Sequence, residues 1–79
     1  MDWHGRIVSD ADTLFGKPRI KGTRISVELL LDRLADGWSV EDILESYPHI
    51  TREDVQAALA FVAEIYREES FVAAGKTNA

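Results

Sequence analysis

Apolar residues recur along this chain with two different periods, and the change of period divides it. From Val27 onward they fall three and four positions apart, the spacing of one face of an α-helix. Val27, Leu30, Leu31 and Leu34 form one such stripe, widened by Leu29, and predict a helix over residues 27–36. Val40, Ile43, Leu44 and Tyr47 form a second, and Val55, Ala58, Leu59, Val62 and Tyr66 a third. Before Val27 the pattern is shorter and alternating. Arg6-Ile7-Val8-Ser9 and Arg19-Ile20-Lys21 each predict a brief strand.

Polar and glycine punctuation agrees with these stripes. Ser26 is placed to cap the first helix, Glu28 sits in its first turn where the helix dipole favours an acid, and Gly37 follows as its terminator. Ser39-Val40-Glu41-Asp42 and Thr51-Arg52-Glu53-Asp54 both fit the capping box, in which hydroxyl and carboxylate each satisfy an orphan backbone N–H. Pro48 stops the second helix, and Ile50 stands where a hydrophobic staple would meet Val55. Asp10-Ala11-Asp12-Thr13 is turn chemistry, Leu14 and Phe15 are expected to anchor the segment after it, and Trp38 is expected to lid the core. The expected fold is mostly α: a tri-helical helix-turn-helix bundle with a short N-terminal β-hairpin or arm. Residues 1–26 are the arm, 27–69 the helical domain and 70–79 a C-terminal tail.

The third helix carries a second apolar track, Ala57, Ala60, Phe61 and Ile65, beside its inner stripe. A helix apolar on two sides must bury both, so the second face is expected to meet the N-terminal arm or another subunit. Phe61 is read as pointing away from its own core toward a second chain. Ile7 and Ile20 on the strands, which need support beyond an isolated hairpin, and Phe71 and Val72 in the tail complete the residues expected at a dimer or partner interface.

Size and composition sharpen that expectation. Seventy-nine residues make one small domain without a cysteine, so no disulfide can reinforce it. Subunit association is the remaining means, and a homodimer is expected. No apolar run approaches the ~20 residues of a membrane span and no signal-peptide pattern is present, so a cytoplasmic protein without membrane contact is expected. The net charge is −5, against a general nucleic-acid binder. It is unevenly distributed, however. Between Arg6 and Ser26 five bases face two acids, whereas from Gly37 onward eight acids face three bases. The plain alternative is an uneven solvated surface.

At Gly16-Lys17-Pro18-Arg19-Ile20-Lys21-Gly22-Thr23-Arg24-Ile25, followed by Gly37-Trp38-Ser39 and Tyr47-Pro48, the chain resembles the domain-of-unknown-function family 433, small bacterial proteins treated as VapB-like antitoxins. The resemblance covers roughly residues 7–62. It implies a homeodomain-like tri-helical fold, a PIN-like ribonuclease toxin as partner, and an antitoxin that neutralises it and binds its own operator.

The remaining chemistry narrows the choices. Gly16-Lys17 is not a phosphate loop, because the upstream glycine is missing and Pro18 replaces the hydroxyl residue. Gly22-Thr23-Arg24 could hold an anion; the plainer reading gives Gly22 a positive φ and pairs Arg24 with Glu28. His4 and His49 are too few for a metal site, the aspartate pairs Asp10/Asp12 and Asp32/Asp36 read as turn and exposed-face residues, and no nucleophile has a matching base. Neither an enzyme nor a cofactor is expected. For DNA, Arg52 and Gln56 on the third helix could read base edges, but Glu53 beside them would repel phosphate. The basic run Lys17, Arg19, Lys21 and Arg24 is the better electrostatic candidate. An antitoxin is thus the leading expectation, with an operator-binding regulator or a purely structural dimeric module as alternatives.

Overall fold

The computed structural model describes residues 1–69. The chain order is β1 (Ile7–Val8), a tight turn at Leu14–Gly16, β2 (Arg19–Ile20), α1 (Val27–Ala35), α2 (Val40–Ser46) and α3 (Arg52–Glu69). It is the expected mostly helical architecture, three helices with a two-stranded antiparallel sheet near the N-terminus. Ile7 pairs with Ile20 and Val8 with Arg19.

Local chemistry explains the helix ends. The Ser26 hydroxyl accepts from the Leu29 N–H at 2.9 Å, and Gly37 takes the left-handed conformation (φ 95°) that ends α1. Both capping boxes form. The Asp42 N–H donates to Ser39 Oγ at 3.0 Å while Asp42 Oδ2 accepts from the Ser39 N–H at 2.9 Å. The Asp54 N–H donates to Thr51 Oγ1 at 3.1 Å and Asp54 Oδ2 accepts from the Thr51 N–H at 3.0 Å. Ile50 and Val55 are both buried, as a staple requires.

The core is Ile7, Ile20, Val27, Leu30, Ile43, Ile50, Val55, Ala57 and Ala58, which brings the hairpin and all three helices together. The Ile7–Ile20 pair explains how so short a sheet persists: its inner face leans on the helices instead of standing in water. Ile7 and Ile20 therefore face their own core, not another subunit, and their candidacy as interface residues is corrected. Trp38 does lid the core. The Arg33 guanidinium lies 5.2 Å above its ring, and Tyr47 stacks near it at 6.5 Å.

Two expectations about faces are revised. The buried side of α3 is Asp54, Val55, Ala57 and Ala58, continued by half-buried Phe61 and Val62, whereas Leu59 (45% exposed) and Tyr66 (60%) look outward. The N-terminal arm causes this rotation. Trp3 packs edge-on against Phe61 with ring centroids 4.7 Å apart and donates Nε1–H to Glu64 at 3.1 Å, covering the side of α3 that the stripe alone leaves open. Ala57 and Phe61 thus pack within the chain itself, and Ile65, 41% exposed, extends their side by a turn. The second revision concerns Phe15, which anchors nothing among the described residues: it is 97% exposed. Leu14 (φ 53°) and Phe15 (φ 56°) are both left-handed, as is Gly16 (φ 82°). Such a conformation costs a non-glycine residue roughly 1–3 kcal/mol. The turn persists because the Gly16 N–H donates to the Thr13 carbonyl and the Lys17 N–H to the Leu14 carbonyl, each at 3.0 Å, while Ser9 Oγ–H donates to the Gly16 carbonyl.

Candidate partner-binding surface

The hairpin and the loop after it position the basic run, and they use up part of it. Arg19, with only 14% of its side chain exposed, donates to Asp10 Oδ2 at 2.7 Å and to the Thr23 carbonyl at 3.1 Å. Its guanidinium clamps the turn before β2 to the turn after it, and it holds the Asp10 carboxyl below the usual carboxylate range. Arg19 is accordingly a structural cation, not a free contact for phosphate. Lys17 Nζ bonds Glu28 Oε1 at 3.0 Å, so the acid that Arg24 was expected to meet is already engaged. Lys21 and Arg24 are exposed and have no side-chain partner among the described residues.

The loop from Ile20 to Ile25 folds back on itself. Gly22 supplies the positive φ (82°), Thr23 Oγ1 bonds the Ile20 carbonyl at 2.8 Å and accepts from the Ile25 N–H at 3.0 Å, and the Ile20 N–H reaches the Ile25 carbonyl at 2.9 Å. Across from it lies the turn between α2 and α3. Together Gly22–Ile25 and Ser46–Ile50 enclose a cleft of about 390 Å³. Its walls are mainly apolar, from Ile25, Tyr47, Pro48 and Ile50, and Arg24 and His49 bring polar nitrogens to it. Sequence reasoning did not join these two motifs, because a cleft between segments 25 positions apart has no signature in either. A second, more open hollow of about 340 Å³ lies beside it along α2, among Asp36, Trp38, Asp42 and Glu45, and is acidic.

A third surface lies on α3. Arg52, Gln56, Leu59, Ala63 and Tyr66 are all exposed and follow one another at intervals of four, three, four and three. This is the spacing of a helix–helix seam, polar in its first turn and apolar beyond it. Arg52 donates to Glu41 Oε2 at 2.7 Å, tying the start of the seam to α2 and depressing the Glu41 carboxyl pKa. A groove-reading helix needs cations along this face; here Arg52 is paired, Glu53 adjoins it, and the continuation is apolar. Ala60 is half-buried at the edge of the seam. Phe71 and Val72 lie outside the described residues. Among the described residues no group of three or more His, Cys, Asp or Glu could hold a metal ion, and no helix is long and apolar enough to cross a membrane.

A fourth feature is a groove of about 270 Å³ between the hairpin and the helices, floored by Pro18, Val27, Leu31, Phe61 and Val62. The Lys17–Glu28 ion pair stands at its edge.

These elements make a tri-helical domain in which a Gly-Thr-Arg loop faces a Tyr-Pro turn. The chain belongs to the family described as protein of unknown function (DUF433), whose model matches residues 7–62 and so includes both sides of the cleft. It is also 36% identical over 62 residues to uncharacterized protein y4eO of Sinorhizobium fredii (strain NBRC 101917 / NGR234). That alignment takes in 78% of this chain but 26% of the relative, so the chain spans about a quarter of that protein's length. No solved structure matches the chain.

Proposed function

We propose that this protein is a partner-binding regulator of antitoxin type, which covers a PIN-like ribonuclease and blocks it. The single observation that carries the reading is the exposed seam of α3, with Leu59 at its centre and Ala63 one turn on. Apolar residues at helix–helix spacing on a face the described residues leave open suit a second polypeptide, not a nucleic-acid groove. The choice of a PIN-like ribonuclease rests on the resemblance to VapB-like antitoxins, and the acidic surface along α2 adds charge that discourages non-specific contact with RNA or DNA.

Operator binding is the second reading, favoured by Lys21 and Arg24, exposed on the loop from Ile20 to Ile25. The two activities are compatible, because loop and seam are separate surfaces. A homogeneous ribonuclease assay tests the leading reading. The reading requires a PIN-like ribonuclease partner, and that nuclease should lose its RNA-cleaving activity on addition of the chain at a one-to-one ratio. Undiminished cleavage at excess chain would overturn it.

A further inference from the structure

We propose that Phe15 is the anchor of a two-fold self-association, in which the Phe15 ring of each copy seats in the Pro18–Val27–Leu31–Phe61–Val62 groove of the other. Three observations lead there. The ring is 97% exposed, and two consecutive non-glycine residues, Leu14 and Phe15, hold the left-handed backbone of the turn that displays it. Glycine or asparagine at either place would relax that turn. The strain is instead accompanied by the largest fractional exposure of any bulky apolar residue described here.

The second observation is an acceptor. The groove of about 270 Å³ is apolar on its floor, open to solvent, and wide enough for one aromatic ring. Lys17 at its edge and Pro18 on its floor lie two and three residues after Phe15. Knob and hole therefore sit side by side on one surface. When a patch holds both, a two-fold axis between them satisfies both contacts at once and closes the assembly at two copies.

Third, the charges agree. Lys17 and Glu28, paired at 3.0 Å and both exposed, lie at the edge of the groove. As one cation and one anion, the pair gives the groove edge no net charge to oppose a second copy. Each buried aromatic ring withdraws roughly 150–250 Å² from water. The two rings together withdraw roughly 300–500 Å², below the ~1,200 Å² where standard specific interfaces begin, so association is expected to be weak, reaching toward the millimolar range. This surface does not involve the α3 seam, and the test needs no second protein, so it stands or falls apart from the antitoxin reading.

The experiment is sedimentation of the full chain across a concentration series reaching roughly the millimolar range, for the native sequence and Phe15→Asn, with urea unfolding of both. The native chain should shift from monomer to dimer. Phe15→Asn should weaken association by at least about tenfold, the loss expected on truncating an aromatic anchor, while unfolding at no lower urea. In a parallel arm, p-benzoylphenylalanine replaces Phe15. Irradiation should join position 15 of one copy to α1 or to the Phe61–Val62 turn of α3 in another. A native chain that stays monomeric, a Phe15→Asn dimer of unchanged affinity, or cross-links falling only in the Gly22–Ile25/Ser46–Ile50 cleft or along the α3 seam would each overturn the proposal.

Discussion

Asp54 joins two distant parts of this fold. It is 7% exposed; one carboxylate oxygen accepts from the Thr51 N–H, and the other from Arg6 Nη1 at 3.1 Å. It thereby caps α3 and fastens the start of the hairpin to that helix, across 48 positions of sequence. Asp54→Ala removes the reciprocal half of the capping box, worth about 1 kcal/mol. It also removes a charge-assisted hydrogen bond, worth about 1.5–3 kcal/mol when sheltered. Arg6 keeps 44% of its side chain in solvent, so the lower end of that range applies. The sum is about 2–3 kcal/mol. A domain of this size has on the order of 4–12 kcal/mol in all, and each kcal/mol shifts the melting temperature of so small a domain by about 4–8 °C. Asp54→Ala should thus lower the midpoint by roughly 10–20 °C in a circular-dichroism melt. Asp54→Asn keeps an acceptor for the Thr51 N–H and should lose about 1 kcal/mol less. A double-mutant cycle with Arg6→Ala should return about 0.5–1.5 kcal/mol of coupling. A loss under about 0.5 kcal/mol for Asp54→Ala, or zero coupling to Arg6, would refute the linkage.

Three further outcomes follow from the geometry. Phe61→Ala should destabilise the monomer by about 2–3 kcal/mol in urea, and Trp3→Ala should show strongly non-additive behaviour with it, because each ring is the other's cover; additive losses would show that the arm does not dock there. Arg19→Ala should lower stability by about 1–2 kcal/mol by leaving the Asp10 and Thr23 turns unclamped, readable as increased hydrogen exchange at Thr23 and Ile25; exchange unchanged from the native chain would count against the clamp. Stability should fall in acid: Asp10, Glu41 and Asp42 have folded pKa values below their unfolded ones, held down by Arg19, by Arg52 and by the Ser39 N–H respectively. Protons then bind the unfolded chain more tightly, so the stabilisation is present above the ordinary carboxylate range near pH 4 and is lost as pH drops through it. A urea midpoint that is flat between pH 5 and pH 3 would contradict this.

Most of the fold was legible because its signals are local. Ser26, Gly37, both capping boxes and the Ile50 staple act within a few residues of where they are written, and the helix boundaries fall where those residues put them. The rotation of α3 was not legible. Two apolar tracks on one helix cannot say which is covered first, and the deciding contacts, Trp3 to Phe61 and Glu64 and Arg6 to Asp54, come from the far end of the chain. For the same reason Leu59 and Tyr66 read as core and Ala57 as surface. Arg19 read as a free cation because nothing near it in sequence shows that Asp10 would turn back to meet it. Phe15 read as an anchor by its chemistry alone; only the left-handed backbone shows which way it faces.

The antitoxin reading is decided most directly by calorimetric titration of the PIN-like ribonuclease that the proposal requires with the native chain, and with the chain carrying Leu59→Glu and Ala63→Glu. Both substitutions lie on exposed helix positions, so circular dichroism should be unchanged. The native chain should bind at one-to-one stoichiometry per site, and the doubly substituted chain at least about a hundredfold more weakly, the loss expected when a central apolar contact is replaced by buried charge. Equal affinity of the two chains, or no heat of binding with the native one, would contradict the assignment of the α3 seam to a toxin.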